Sequence, residues 1–214
     1  MPRPSQNLDR KLLKAGRQQL ARRGSSRFSV RELCAAAGVN LGMFHYHFRT
    51  KAAFIGTLLE EIYSPMFARL NLAASATGDP VERLRSALIV FGGWVREHRV
   101  LLARLGADLL GGDPAVAAFI RTAEPRHIAV IVGLILECQM AGRIEPGDPA
   151  ETLVFIGGST ILPLMIGTLA QGNRHLPTPF RALLNEGSFF TEAALQRRID
   201  RALRGITISQ PKAA

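Results

Sequence analysis

Apolar positions recur along the chain with a period near 3.6 residues, the spacing of helices that bury one face. Leu8, Leu12, Leu13, Ala15, Gly16 and Leu20 share one broad face of a helix expected over about 7–23, closed by Gly24. Ser29 and Glu32 have the spacing of a capping box, in which hydroxyl and carboxylate each satisfy an orphan amide of the helix start. The helix it opens stops at Gly38. Asn40 caps a second short helix to about His47. Thr50 caps a longer one that carries Phe54, Leu58, Leu59 and Ile62 up to Ser64-Pro65. Further on, Asp79-Pro80, Asp113-Pro114 and Asp148-Pro149 each read as an N-cap followed by proline at the first helical position. The spacing predicts helices over about 80–98, 100–110, 114–123, 126–141, 149–171 and 189–204, with a long connection over 173–187. The expected fold class is all-α, because these start and stop signals divide the chain into helices with little room for strands.

Charge changes the picture more than composition does. The chain has 214 residues, 47% hydrophobic and 21% charged, enough to bury a substantial core. Its formal charge is +10, and residues 1–57 carry 11 Lys and Arg against two acids, Asp9 and Glu32. Nearly all the surplus therefore sits in the first quarter. A basic N-terminal module on a near-neutral body points to a polyanion, nucleic acid before anionic membrane. Two cysteines, Cys34 and Cys138, exclude a disulfide-stapled scaffold. The opening Met1-Pro2-Arg3-Pro4 leads into charged residues with no apolar run, so a cytoplasmic protein is expected.

Other chemistries find little support. Residues 152–170 contain no charge and could span a bilayer by length. Gly157, Gly158, Ser159, Thr160 and Pro163 inside that run favour a helix buried in a bundle or in a dimer interface. No phosphate-binding Gly-rich loop followed by lysine and no Gly-x-Ser-x-Gly turn is present, and no set of acids is paired. No catalytic residue is assigned and no enzyme is expected. His45 and His47 stand at i and i+2, where helical side chains point apart, so no metal site and no cofactor are expected.

The informative stretch runs from Ser29 to Lys51. Two short helices meet at a turn that starts at Gly38, and Ala35, Ala36 and Ala37 let them cross closely. Val39, Phe44 and Phe48 have the spacing to pack on Leu33 and the first helix. Asn40, Leu41, Met43, His45, Tyr46 and His47 remain for the other faces of a helix that fits the major groove. In its Ser29-Val30-Arg31-Glu32-Leu33 opening, its Ala37-Gly38-Val39 turn, Gly42, Tyr46-His47-Phe48 and Lys51, the chain resembles the TetR family of bacterial transcriptional repressors. The close likeness covers about residues 8–62. His45 stands where that family commonly has tyrosine, and Cys34 where it commonly has alanine.

The resemblance implies a helix-turn-helix DNA-binding domain over 1–50. It implies a helical effector-binding and dimerisation domain over 51–208, with 50–64 as the connecting helix and 209–214 as a flexible tail. Its partners would be double-stranded DNA, a second copy of the chain through the helices near 149–171 and 189–204, and an unidentified small-molecule effector. Such a protein would be cytoplasmic and nucleoid-associated, with no membrane partner. The expected DNA contacts are Ser29, Arg31, Asn40, Leu41, Gly42, Met43, His45, Tyr46, His47 and Lys51. Among them Ser29, Tyr46, His47 and Lys51 are assigned to phosphates, the aromatic phosphate contact falling to Tyr46 or to the imidazole of His45, and direct readout is assigned to Asn40, Arg31 and His45 or to apolar contact with thymine methyls. Trp94, His98, Arg104, Phe119, His127 and Met165 are the candidate effector contacts, being polar or aromatic residues within apolar helices. The competing readings are an architectural or division-control DNA-binding protein without effector, a membrane-associated protein anchored by 152–170 and, more distantly, an enzyme.

Overall fold

The structure is a computed structural model that describes residues 4–208. The tail expected over 209–214 lies outside the described residues. Among these residues the chain forms α1 (Pro4–Arg23), α2 (Val30–Ala37), α3 (Leu41–Phe48), α4 (Lys51–Ala74), α5 (Pro80–Leu110), α6 (Pro114–Met140), α7 (Pro149–Thr160), α8 (Leu162–Gly172), α9 (Thr178–Leu183) and α10 (Glu192–Ile206). The extended pairing described is one isolated antiparallel bridge, Ile144 with Thr207.

The caps are local and most form as their spacing predicts. Ser29 accepts from the Glu32 amide, Asn40 from Met43, Thr50 from Ala53 and Asp148 from Ala150. Asp113 Oδ1 accepts from both Ala115 and Val116 at 3.0 Å. Two details differ from expectation. The Glu32 carboxylate turns to Arg23 and Gln19 rather than completing its box. Asp79 Oδ1 pairs with Arg143 at 2.5 Å instead of capping α5 through its side chain.

Helix lengths differ more. The breaks expected near 98–100, 123–126 and 64–65 do not occur, and α5, α6 and α4 run straight through them. Pro65 and Pro125 lie inside α4 and α6. A proline there forfeits one backbone hydrogen bond and costs about 3 kcal/mol in an exposed helix. Here the buried stripe continues on both sides, through Tyr63, Met66 and Leu70 in α4 and through Ala123, Ile131 and Leu134 in α6, and offsets that cost. The helix expected over 149–171 is instead interrupted at Ile161, just before Pro163, giving α7 and α8. The long connection contains the short α9.

The chain divides into two compact units. Among the described residues, one holds those through Ser64 together with Val100–Glu124; the other holds Pro65–Arg99 and the residues from Pro125 to Ile208. In the first, Leu12, Leu20, Phe28, Leu33, Phe44, Phe54, Ile55 and Leu58 make the core, completed by Leu101, Leu105, Ala115 and Val116. The unit around the helix-turn-helix thus draws in residues far beyond position 50. In the second, α10 buries Ala194, Leu195, Ile199, Ala202 and Leu203, and its main packing partner is α7.

Candidate nucleic-acid interface

The turn between α2 and α3 is set by Gly38, whose φ of 65° and ψ of 35° lie in the left-handed region that glycine enters without steric cost. Its amide and that of Val39 return to Ala35 and Cys34 and close α2. Phe44 then anchors α3. It is wholly buried, with the rings of Phe48 and Phe54 at 5.7 and 5.4 Å. Aromatic pairs have preferred ring geometries, and these tilted contacts help to fix the roll of a short helix.

That roll decides what α3 presents. At 3.6 residues per turn, Leu41, Gly42, His45 and Tyr46 fall within about 140° of arc, and Met43, Phe44, His47 and Phe48 fill the opposite side. The first four are all exposed, Tyr46 by 79%, whereas Met43 and Phe48 pack against the core. Two of the expected contacts lie off this exposed arc. Met43 faces inward. His47 turns to α1, with Nδ1 3.1 Å from Asp9 Oδ1 and only 11% of its side chain exposed. Its Nε2 is buried as well. The sequence offered no local signal for this, because Asp9 lies a whole helix away.

The polar groups of the exposed arc are already partly committed. Asn40 Oδ1 accepts the Met43 amide at 2.8 Å, so its amide nitrogen is the group left to reach a partner. His45 Nδ1 lies 3.0 Å from the carbonyl oxygen of Arg49. Arg49 itself is the positive-φ non-glycine residue described, at φ 59° and ψ −56°, and the Thr50 amide reaches back to the Phe48 carbonyl. This is a γ-turn of the rarer, strained kind, and it aims the Arg49 carbonyl back at α3.

The helices that precede α3 carry exposed cations. Arg10, Lys11, Lys14, Arg22, Arg27 and Arg31 are exposed, while Arg17 pairs with Glu61 at 3.2 Å and Arg23 with Glu32. Ser29 is half-buried and its hydroxyl oxygen is engaged as the α2 cap. Lys51 is half-buried in the first turn of α4, beside the free amides of that helix end, where a bound phosphate oxygen is favoured.

One positioning residue went unseen in the sequence. Asp108, near the end of α5, accepts the Ser25 amide at 2.5 Å and the Ser26 amide at 3.4 Å. Gly24, at φ 76°, leaves room for this, since an added Cβ would stand 2.5 Å from Asp108 Oδ2. A carboxylate in the last turn opposes the helix dipole, and that unfavourable placement was the available clue.

The candidate effector contacts are divided between the two units. Along α5, Phe91, Trp94 and His98 follow one another at centroid distances of 6.2 and 5.2 Å, and His127 of α6 stacks on Phe91 at 4.6 Å. Met165 is half-buried in α8 of the same unit. Arg104 and Phe119 belong to the other unit, Arg104 exposed and Phe119 set edge-on to Tyr63 at 6.0 Å. Cys138 is buried, and desolvation, aided by Asp79 and Glu137, pushes its thiol up to about 11, which keeps it protonated and inert.

Comparison with known proteins agrees with this geometry. Residues 12–58 match the profile of the bacterial regulatory proteins, tetR family. The chain is 36% identical over 179 residues to the HTH-type transcriptional repressor DhaR of Mycobacterium sp. strain GP1, covering 81% of this chain and 90% of DhaR. It is 42% identical over 76 residues to the transcriptional regulator AcuR of Cereibacter sphaeroides, a match that spans 35% of this chain and only 34% of AcuR. In fold it is similar to a tetR-family regulatory protein from Rhodococcus RHA1, at a TM-score of 0.68 and 19% identity over 95% of this chain and 98% of that one. With the helix-turn-helix in place and a relative matched over nearly its full length, the chain belongs to the TetR family of bacterial regulatory proteins.

Proposed function

We propose that this chain is a DNA-binding transcriptional repressor that acts as a homodimer on a pseudo-palindromic operator and is released by a small-molecule effector. The observation that carries the reading is the division of α3. Its inward residues anchor it in an aromatic core, and its outward arc of Leu41, Gly42, His45 and Tyr46 is free to enter a major groove. The exposed arginines and lysines of α1 and α2, in the same module, supply the positive charge that a phosphate backbone attracts.

The apolar face of α7 and α8 supports the homodimer. Val154, Phe155, Leu162, Ile166 and Leu169 are all exposed, a larger apolar stripe than a solvated helix carries. Phe155 also reaches over Gly205 of α10, so the stripe continues onto the last helix. The apolar side of α10 itself is consumed within the chain, and we place the interface chiefly on α7 and α8. One short helix reads too few base pairs to specify a site, whereas two related by a dyad read both halves of a palindrome. The aromatic column Phe91–Trp94–His98 with His127 is the surface proposed for the effector. The effector acts only if it binds the DNA-free state more tightly than the DNA-bound one.

Selection of duplexes from a randomised library, followed by footprinting on genomic DNA, tests the reading. An inverted repeat with affinity falling steeply in salt is expected. Equal binding to all duplexes overturns it. Within that experiment Lys51→Ala weakens binding to all sequences alike and lowers the salt slope of the dimer by about 2, as the loss of one phosphate contact in each protomer requires. A changed base preference instead would remove Lys51 from the phosphate contacts.

A further inference from the structure

We infer that His45 is a specificity-determining residue of a defined polarity: it accepts a hydrogen bond from a base amino group, cytosine N4 or adenine N6. This rests on the reading of α3 as the groove-entering helix. The Arg49 carbonyl can only accept, so the 3.0 Å contact with His45 Nδ1 is a hydrogen bond only when Nδ1 carries the proton. In the neutral ring that leaves Nε2 with a lone pair and no hydrogen. The contact fixes ring orientation as well as tautomer. The partner carbonyl is supplied by the γ-turn at Arg49, just past the end of α3. Phe44, edge-on to the imidazole at 5.5 Å, supports the ring from the buried side.

An acceptor at this place discriminates sharply. Phosphate oxygens are acceptors only and cannot bond to it. In the major groove guanine offers N7 and O6 and thymine offers O4, all acceptors, whereas the exocyclic amino groups of cytosine and adenine donate. Asn40 has the opposite polarity, since its oxygen is held by the Met43 amide and its nitrogen can only donate.

The test is selection from a randomised inverted-repeat library with the full-length wild type and with His45→Ala and His45→Lys, all on the exposed side of α3. The wild type is expected to prefer cytosine or adenine at one position of each half-site by about 5- to 150-fold, the range of a good base contact. His45→Ala levels that position and leaves the rest of the half-site unchanged. His45→Lys, a donor, turns the preference to guanine. In the selected duplex, 2-pyrimidinone for the cytosine, or unsubstituted purine for the adenine, removes the amino group. Wild type then loses the same factor and His45→Ala loses nothing. Uniform weakening of all sequences by His45→Ala, tolerance of the analogues by the wild type, or guanine selected by the wild type at the His45 position overturns the proposal. Each of these leaves the rest of the half-site selected, whereas absence of any selection defeats the repressor reading itself.

Discussion

Single side chains in this protein are committed twice, once to the fold and once to what α3 meets. Asn40 shows how the two roles separate. Its oxygen caps α3 and its nitrogen faces outward. Asn40→Ala loses the cap and about 1 kcal/mol of stability. Asn40→Asp keeps the cap but places a negative charge against DNA, so thermal melting is expected to be near wild type while binding to every duplex falls at least tenfold. Equal melting losses in the two variants would show that the cap contributes nothing. Cys138 gives a pH effect of known sign. The unfolded thiol ionises near 9.0, while the buried one holds its proton to about 11. The unfolded state then binds fewer protons, so stability is complete below pH 9 and declines as pH rises toward 11. Urea melts across that range are expected to bring wild type down relative to Cys138→Ala. Parallel curves would remove the thiol as the cause.

Elements are positioned by contacts that no element contains within itself. The α1–α2 turn is held by a carboxylate on α5, 83 residues away. Ser25 is wholly buried, so its amide has no recourse to water once that acceptor is gone. Asp108→Ala is expected to cost about 1–3 kcal/mol and Asp108→Asn, with one acceptor kept, roughly half as much, read by denaturant titration. An unchanged midpoint for Asp108→Ala would mean the turn is held by its own backbone. The same dependence explains the helix lengths. Gly38, Ser29 and Asn40 end or begin helices through bonds reaching three or four residues, and those boundaries are legible from spacing. Pro65 and Pro125 carry the usual stop signal but sit in stripes buried on both sides, and burial outweighs the local preference.

For the molecule as a whole, the proposed dimer turns on the apolar face of α7 and α8. The stretch from Pro149 to Gly172 is long and apolar enough to cross a membrane, yet Ile161 and Pro163 interrupt it and its exposed side forms one continuous stripe. Ile166→Glu places a charge in the centre of that stripe and is expected to give a folded monomer by sedimentation, with DNA affinity lowered at least 100-fold through loss of the second half-site. A variant that remains dimeric would move the interface elsewhere.

The amino-acid sequence alone determined the all-α class, the capped helix starts, the basic N-terminal module and the turn at Gly38. Each rests on periodicity or on hydrogen bonds a few residues long, and such information is contained in a short window of chain. Only the tertiary structure decided that Met43 and His47 turn inward, that Asp108 holds the Ser25 amide and that Arg49 orients the His45 ring. Those outcomes depend on the roll of α3 in its aromatic core, on groups brought together from distant positions and on one backbone angle outside any regular element. No local rule ranks such alternatives, because their energies come from which neighbours are present once the chain has packed.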